Sequence, residues 1–245
     1  MGRTWVVTGG SRGIGRAVVD RALAEGDTVH VLARSVDREG WPAAVRDRVL
    51  PVPADIGDAD SVRRALAVVE QASGSVDVLV QSAGVHRGGR LDRLTDDAWD
   101  EVLATNLTGA FRVARAARPL LGEGSSIINI GAVVGLRGYP GDAAYGSAKA
   151  GLSGLTQTLA MELAPDGVRV NLVVPGFVDT DMTAGISESS RGVVVDGIPL
   201  GRPGRPEEIA DVVWAVAGAT YMTGSTVAVD GGLLASFGAP RPRRS

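Results

Sequence analysis

The chain is predicted to form an α/β fold, a single-domain Rossmann-like doubly wound sheet of about seven parallel strands, and three observations carry that prediction. Short apolar segments alternate with helical segments along the chain. The first apolar segment, Thr4–Thr8 (TWVVT), runs directly into a glycine-rich loop and then a helix. No linker or internal repeat breaks the alternation, and 245 residues suit one large domain with a substantial core. The boundaries expected are 1–238 for that domain and 239–245 for a basic tail that includes PRPRRS.

Composition removes several classes of function. A net charge of −3 is too small to make nucleic acid or an anionic membrane the main partner. With no cysteine there are neither disulfides nor thiolate metal ligands. The two histidines, His30 and His86, lie far apart in sequence, so no metal site is expected. No apolar run approaches the roughly 20 residues that span a bilayer. The strand beginning at Thr4 leaves no signal-peptide form, and Val6 stands where myristoylation needs a hydroxyl residue. The expected location is cytoplasmic.

Thr4–Thr8 is nearly all apolar, as a parallel strand covered on both faces should be. Gly9-Gly10-Ser11-Arg12-Gly13-Ile14-Gly15 follows, then an amphipathic helix over 16–25 ended by Gly26, then a second strand over 27–32. This is a βαβ unit. Its glycines let backbone approach a pyrophosphate, and the helix N-terminus offers free N–H groups and a positive dipole end. Much later, an apolar strand containing Ile127, Ile128 and Ile130 leads through a glycine-rich loop to Tyr145 and Lys149. Four residues apart on a helix, the two share one face. An ammonium beside a phenol favours phenolate, which is the chemistry of a general acid or base for a hydroxyl/ketone pair. Alone, the pair reads equally well as part of a helix surface.

Together the two motifs give more. Thr8-Gly9-Gly10-Ser11-Arg12-Gly13-Ile14-Gly15 with Tyr145-x-x-x-Lys149 resembles the short-chain dehydrogenase/reductase family, in particular its 3-oxoacyl-[acyl-carrier-protein] reductase branch. The resemblance covers about residues 3–234. It implies cofactor contacts from Gly9, Ser11, Arg12, Gly13, Ile14 and Gly15, and from Tyr145 and Lys149. The choice of cofactor is electrostatic. A carboxylate ending the second strand would bind a ribose 2′-hydroxyl, but this chain has Ala33-Arg34-Ser35 there and Arg12 in the glycine loop. Guanidinium groups suit a 2′-phosphate, so NADP(H) is expected; the alternative is two solvated arginines.

The remaining elements follow in order. Residues 35–50 are polar and suggest a short irregular helix, and Val49–Pro53 reads as the third strand. By resemblance Asp55 holds the adenine amino group and Ile56 packs on its ring; the alternative is that Asp55 caps the next helix, over about 58–73. A fourth strand over 76–80 ends in Gln81-Ser82-Ala83-Gly84, where the family carries two asparagines. Ala83 and Gly84 are still expected to line the ribose, whereas the bonds of the missing asparagines must be made elsewhere. His86, just beyond, reads either as a pocket residue or as an ordinary loop histidine. Residues 95–117 form one long helical pattern with Trp99, Val102, Leu103 and Leu107 on one face. Asn106 matches the family asparagine that anchors a water beside the lysine and extends the proton relay. The rest of that helix and the small-residue-rich helix over 145–163 resemble subunit contacts, so a homotetramer, or a hetero-oligomer with a homologous subunit, is implied. A sixth strand over 168–174 precedes Pro175-Gly176-Phe177-Val178-Asp179-Thr180, where Val178 backbone and the Thr180 hydroxyl match the nicotinamide carboxamide site. Residues 181–199 read as a mobile lid, 209–217 as the last helix and Thr226–Val229 as the last strand.

Two departures qualify the resemblance. The family serine thirteen residues before the tyrosine is Ala132 here. Alanine cannot hydrogen-bond a substrate oxygen, and a lost donor of that kind costs on the order of 10²–10³ in rate. Ala132 therefore reads as an engineered change, as natural in an enzyme that finds its donor elsewhere, or as the mark of a weakly active subunit paired with an active homologue. Asp142, three residues before the tyrosine, reads as a pocket residue or as a helix cap. Second, Glu123 and Asp166 stand where the family presents basic residues to an acidic carrier protein, which they would repel; Arg118, Arg137 and Arg169 are candidates to replace them. The expected activity is NADPH-dependent reduction of a small-molecule ketone or acyl substrate, free or carrier-bound. In it Tyr145 protonates oxygen, Lys149 lowers the tyrosine pKa, and Asn106 completes the relay. The alternative is a non-catalytic partner subunit.

Overall fold

A computed structural model describes residues 2–236, so the expected basic tail and residues 237–238 of the expected domain lie outside the described residues. The elements are β1 (Thr4–Thr8), α1 (Gly13–Ala24), β2 (Thr28–Ala33), β3 (Val49–Pro53), α2 (Ala59–Ser73), β4 (Val78–Gln81), α3 (Asp96–Leu103), α4 (Gly109–Ala117), β5 (Ser126–Ile130), α5 (Ala143–Leu163), β6 (Arg169–Pro175), α6 (Asp181–Ala184), α7 (Glu188–Asp196), α8 (Pro206–Gly218) and β7 (Thr226–Val229). The seven strands form one sheet in the order β3-β2-β1-β4-β5-β6-β7, and every pairing is parallel. The chain winds outward from β1 to β3, then returns to β4 and winds the other way. Beyond the carboxyl ends of β1 and β4 the connections diverge, which opens a cleft at that edge.

Strand side chains alternate between two apolar layers. Trp5 and Val7 face the layer built with Val18, Val19, Val213 and Val216 of α1 and α8. Val6, Leu79 and Ile127 face the layer built with Val69, Val113 and Ala160 of α2, α4 and α5. Every residue of β5 is buried, as a central strand of a doubly covered sheet requires. The polar end of Trp5 is satisfied: its Nε1–H donates to Asp27 Oδ2 at 2.6 Å, while its ring stacks on Trp214 at 5.3 Å.

Three expectations change in detail. The irregular helix after β2 is two short 3₁₀ turns, Arg38–Gly40 and Ala43–Arg48. The long helix over 95–117 is interrupted: α3 passes into α4 through a π-helical turn, Ala104–Thr108, with Asn106 buried in it. Such a turn adds a residue to the helix and rotates one side chain off the expected face. The expected lid holds two helices, α6 and α7, neither of which buries a residue.

His30 on β2 gives a test of the core. It is fully buried, its Nε2 lies 2.7 Å from Ser73 Oγ, and burial pushes its pKa down to about 4. The unfolded chain binds this proton near the ordinary histidine value of about 6.5. Stability is therefore fully present above that value and falls as pH drops from about 6.5 toward about 4. Thermal midpoints across this range should decline in the wild type, and His30→Gln should flatten that decline. An unchanged slope in the variant would remove His30 from the account.

Candidate active site

The cleft at the switch point has a volume of about 910 Å³ and is lined from the ends of β1, β2, β4, β5 and β6. Its floor is the glycine loop. Gly9 has φ +68° and Gly13 φ +55°, conformations that L side chains rarely adopt. A Cβ on Gly9 would stand 2.7 Å from Ala83 Cα, so the β1 and β4 loops touch through backbone alone. Arg12, at the N-cap of α1, makes no side-chain cap bond, and the first turn carries no acidic residue. The uncapped helix end, with its free N–H groups and positive dipole, fits a pyrophosphate.

The other expected cofactor residues gather around this loop. Ser11, Arg12, Gly13, Ile14, Arg34, Asp55, Ile56, Ala83, Gly84, Pro175, Gly176, Val178 and Thr180 all line the cleft with Gly9; Gly15 lies beneath it, where a Cβ would run into Gly9 O. Among the described residues neither the Arg12 nor the Arg34 guanidinium has an ion-pair or hydrogen-bond partner. Two unpaired cations on one cleft wall fit a 2′-phosphate. Asp55 is not the cap of α2, because Asp58 accepts from Asp60 N–H at 2.9 Å. Asp55 Oδ1 instead accepts from Gly57 N–H at 2.9 Å and keeps its place on the cleft wall. Ile56 is buried, and its Cδ1 lies 2.9 Å from where a Gly109 Cβ would be. The Thr180 methyl lies 3.5 Å from the Cβ position of Gly13, so the Pro-Gly segment meets the glycine loop. Val178 O accepts from the Thr183 hydroxyl at 2.8 Å, and the same hydroxyl oxygen accepts from Thr180 N–H at 3.0 Å.

Tyr145 and Lys149 project from the first turns of α5 into the cleft. Buried Lys149 donates from Nζ to Ile130 O at 2.7 Å and stands 5.6 Å from the Tyr145 ring centroid. Burial lowers the lysine pKa to about 8. The tyrosine departs from expectation. Burial, and then the charge of Asp142, push its pKa up to about 12 rather than down. In this arrangement desolvation outweighs the neighbouring ammonium, and the phenol is held protonated.

Asn106 Oδ1 accepts from Val85 N–H and its Nδ2–H donates to Val85 O, both at 2.8 Å. The side chain thus pins the loop after β4, and the π-helical turn is what points it there. Ala132 follows β5 in extended backbone and lines the cleft beside Tyr145 and Lys149 with no polar group to offer. At the place of the missing asparagines Gln81 Nε2–H donates to Asn129 Oδ1 at 3.0 Å, and Asn129 Nδ2–H to Thr156 Oγ1 of α5 at 2.8 Å; both bonds are between side chains. Ala83 N–H donates to Thr8 Oγ1 at 3.2 Å, a contact sequence reasoning did not anticipate.

Two residues left open by the sequence are brought together. His86 Nε2 lies 2.7 Å from Asp142 Oδ1, and the His86 ring meets the Tyr145 ring edge-on at 5.2 Å and 76°. Asp142 makes no side-chain cap bond to α5, so the capping alternative fails. The three candidate carrier-binding arginines are all engaged within the chain. Arg118 pairs with Asp166, Arg137 donates to Leu233 O and Ser236 O, and Arg169 donates to the carbonyls of Val216, Ala217 and Ala219.

A doubly wound sheet with a glycine-loop cleft and a tyrosine–lysine pair at its inner end defines an oxidoreductase. A family model described as enoyl-(acyl carrier protein) reductase matches residues 9–234. A 3-oxoacyl-[acyl-carrier-protein] reductase of Thermotoga maritima is 37% identical over 243 residues, covering 95% of this chain and 98% of the relative. Carbonyl reductase family member 4 of Danio rerio is 39% identical over 236 residues, covering 95% and 98%. Among solved structures, a blue fluorescent protein from a metagenomic library in complex with NADPH superposes with a TM-score of 0.88 at 34% identity, covering 95% of this chain and 98% of that one. A short-chain dehydrogenase/reductase variant of Serratia marcescens gives a TM-score of 0.90 at 35% identity, covering 96% and 98%. The chain belongs to the short-chain dehydrogenase/reductase family. Among the described residues no helix is long and apolar enough to cross a membrane.

Proposed function

We propose that this chain is an NADPH-dependent ketoreductase acting on a ketone of the 3-oxoacyl or polyketide type. The observation that carries the reading is the pairing, in one cleft, of a tyrosine backed by a buried lysine with two unpaired arginines. The 3-oxoacyl reductase and carbonyl reductase names among its relatives, and the NADPH bound in a structural neighbour, support the same reading.

Gly9, Gly13 and the start of α1 would hold the pyrophosphate, Arg12 and Arg34 the 2′-phosphate, and Asp55 the adenine edge. Ala83 and Gly84 would line the ribose, and the segment from Pro175 to Thr180 would receive the nicotinamide. When bound, NADPH supplies the hydride that the carbonyl carbon takes up. Tyr145 gives its proton to the carbonyl oxygen as charge develops there, because an alkoxide is far more basic than a phenolate. Lys149, fixed by Ile130 O, places a positive charge behind the phenol and stabilises the phenolate that the transfer leaves. Asn106 keeps the β4 loop in register with this pair through Val85.

The finer substrate assignment follows the engaged arginines. With Arg118, Arg137 and Arg169 engaged inside the chain and Glu123 standing where the family presents a basic residue, a small ketone or thioester is favoured over a substrate that depends on carrier docking. The exposed Phe111 of α4 and Met161 of α5 suit a subunit contact, and light scattering that reports a monomer would remove the tetramer from the reading.

Purified protein should reduce a 3-oxoacyl thioester with NADPH at least ~10-fold more efficiently than with NADH, since a bidentate guanidinium–phosphate pair is worth over ~1 kcal/mol. Arg34→Ala should erase most of that preference. An unchanged preference would sink the cofactor assignment. Ala132 specifically favours one second reading, a partner subunit: turnover absent alone but present on mixing with a homologous reductase would establish it instead.

A further inference from the structure

The site has no hydroxyl at Ala132, yet a second polar group stands against the same phenol. His86 lines the cleft with Tyr145 and Ala132, whereas Asp142 does not reach it and lies behind the histidine. The two loops that carry them are tied by backbone: Gly89 N–H donates to Gly141 O at 2.9 Å, and Gly89 and Asp142 form a parallel bridge. The imidazole is thus held by the Asp142 carboxylate at Nε2 and packs edge-on with the Tyr145 ring. A neutral imidazole has one N–H, and here Nε2–H serves Asp142, leaving Nδ1 as an acceptor. Protonated, the ring keeps its bond to Asp142 and presents a second donor at Nδ1. This carboxylate–histidine arrangement fixes tautomer and direction together.

We propose that His86, oriented by Asp142, donates from Nδ1 to the substrate carbonyl oxygen and takes over the work that the residue at Ala132 cannot do. The proposal rests on the ketoreductase reading. Hydride adds to carbonyl carbon, the C=O π bond opens, and the oxygen accepts the Tyr145 proton while His86 stabilises its growing charge through a hydrogen bond. His86 itself transfers no proton. The charged and titratable groups around the ring are Asp142, Tyr145 with Lys149 behind it, and Arg87, whose guanidinium is paired to Glu101 and also donates to His86 O at 3.0 Å. Asp142→Asn, which takes the carboxylate from the Nε2 bond that orients the ring, should lower kcat/KM as well.

The test is a cycle of His86→Ala, Ala132→Ser and the double variant, assayed with NADPH and an acetoacetyl thioester, with NADPH affinity measured on each protein. His86→Ala should lower kcat/KM by about 100-fold or more, the cost of one donor to a developing oxyanion. NADPH affinity should be unchanged, which shows that the variant is folded. Ala132→Ser should change the wild type little but restore most of the loss in the His86→Ala background. If His86→Ala stays within ~3-fold of wild type, or if serine adds ~100-fold equally in both backgrounds, the proposal is overturned. Failure of all four proteins to turn over would refute the ketoreductase reading rather than the histidine's role. That role is then decided by NMR. The chain has only two histidines, so the buried His30 serves as internal reference. Adding NADP⁺ and the thioester to wild-type protein should bring out a hydrogen-bonded Nδ1–H proton signal on His86 and leave the His30 ring signals unmoved; its absence overturns the assignment.

Discussion

Tyr145→Phe should lower kcat for ketone reduction by about 10³-fold, within the 10²–10⁴ that a positioned general acid contributes. The substitution removes only the phenolic oxygen. The ring that packs edge-on against His86 remains, and so does the Lys149 bond to Ile130 O. NADPH affinity should therefore stay within a few-fold of wild type, which separates lost proton transfer from lost binding. The pH profile of the wild type carries the same argument. Tyr145, with its pKa pushed up to about 12, stays protonated across the working range and is not what limits reduction. Lys149, lowered by burial to about 8, is charged below that value and neutral above it. The rate should thus decline as pH rises through about 8, when the phenolate left by transfer loses its counter-charge. A Tyr145→Phe variant that keeps more than about a tenth of wild-type kcat would mean that another group protonates the oxygen.

What the sequence made legible follows from which constraints are local. The β1–glycine loop–α1 unit was readable because positive φ at Gly9 and Gly13 and the close approach at Gly15 are demands that only glycine meets. The strands were readable because burial on both faces leaves apolar runs with no period to confuse. The turn at Asn106 was not. Helical periodicity continues on both sides of Ala104–Thr108, and one inserted residue leaves no mark in composition. The His86–Asp142 pair was equally hidden, since 56 residues separate its members and a loop-to-loop backbone latch joins them. The tyrosine pKa failed for a different reason. Spacing of four residues places Lys149 near Tyr145, but spacing carries no information on desolvation, which here has the larger effect. The side-chain bonds that join Gln81, Asn129 and Thr156 likewise depend on strand register, with Gln81 opposite Asn129 across β4 and β5.

Gly15→Ala is the prediction with the largest expected effect on the cofactor site, and it runs against helix propensity. Gly15 lies inside α1, where alanine would by itself favour the helix by about 0.8–1 kcal/mol. Its φ is not positive, so no backbone strain opposes the change. The obstacle is contact. A Cβ at Gly15 would run into Gly9 O and stand 2.8 Å from Gly9 C, both backbone atoms. Gly9 cannot yield easily, because its N–H donates to Leu32 O at 2.8 Å and its Cα side abuts Ala83. Overpacking of this kind costs typically ~1–3 kcal/mol, more than propensity returns. The strain is released only by shifting the loop that cradles the pyrophosphate, so NADPH affinity should fall by about 100-fold or more, the equivalent of ~2.7 kcal/mol. A lowered thermal midpoint should accompany it. Titration of NADPH fluorescence against the variant reads the first effect and calorimetry the second. A variant that is more stable than wild type and binds NADPH normally would show that the loop relaxes freely, and the close approach of Gly15 to Gly9 would then not be what shapes the site.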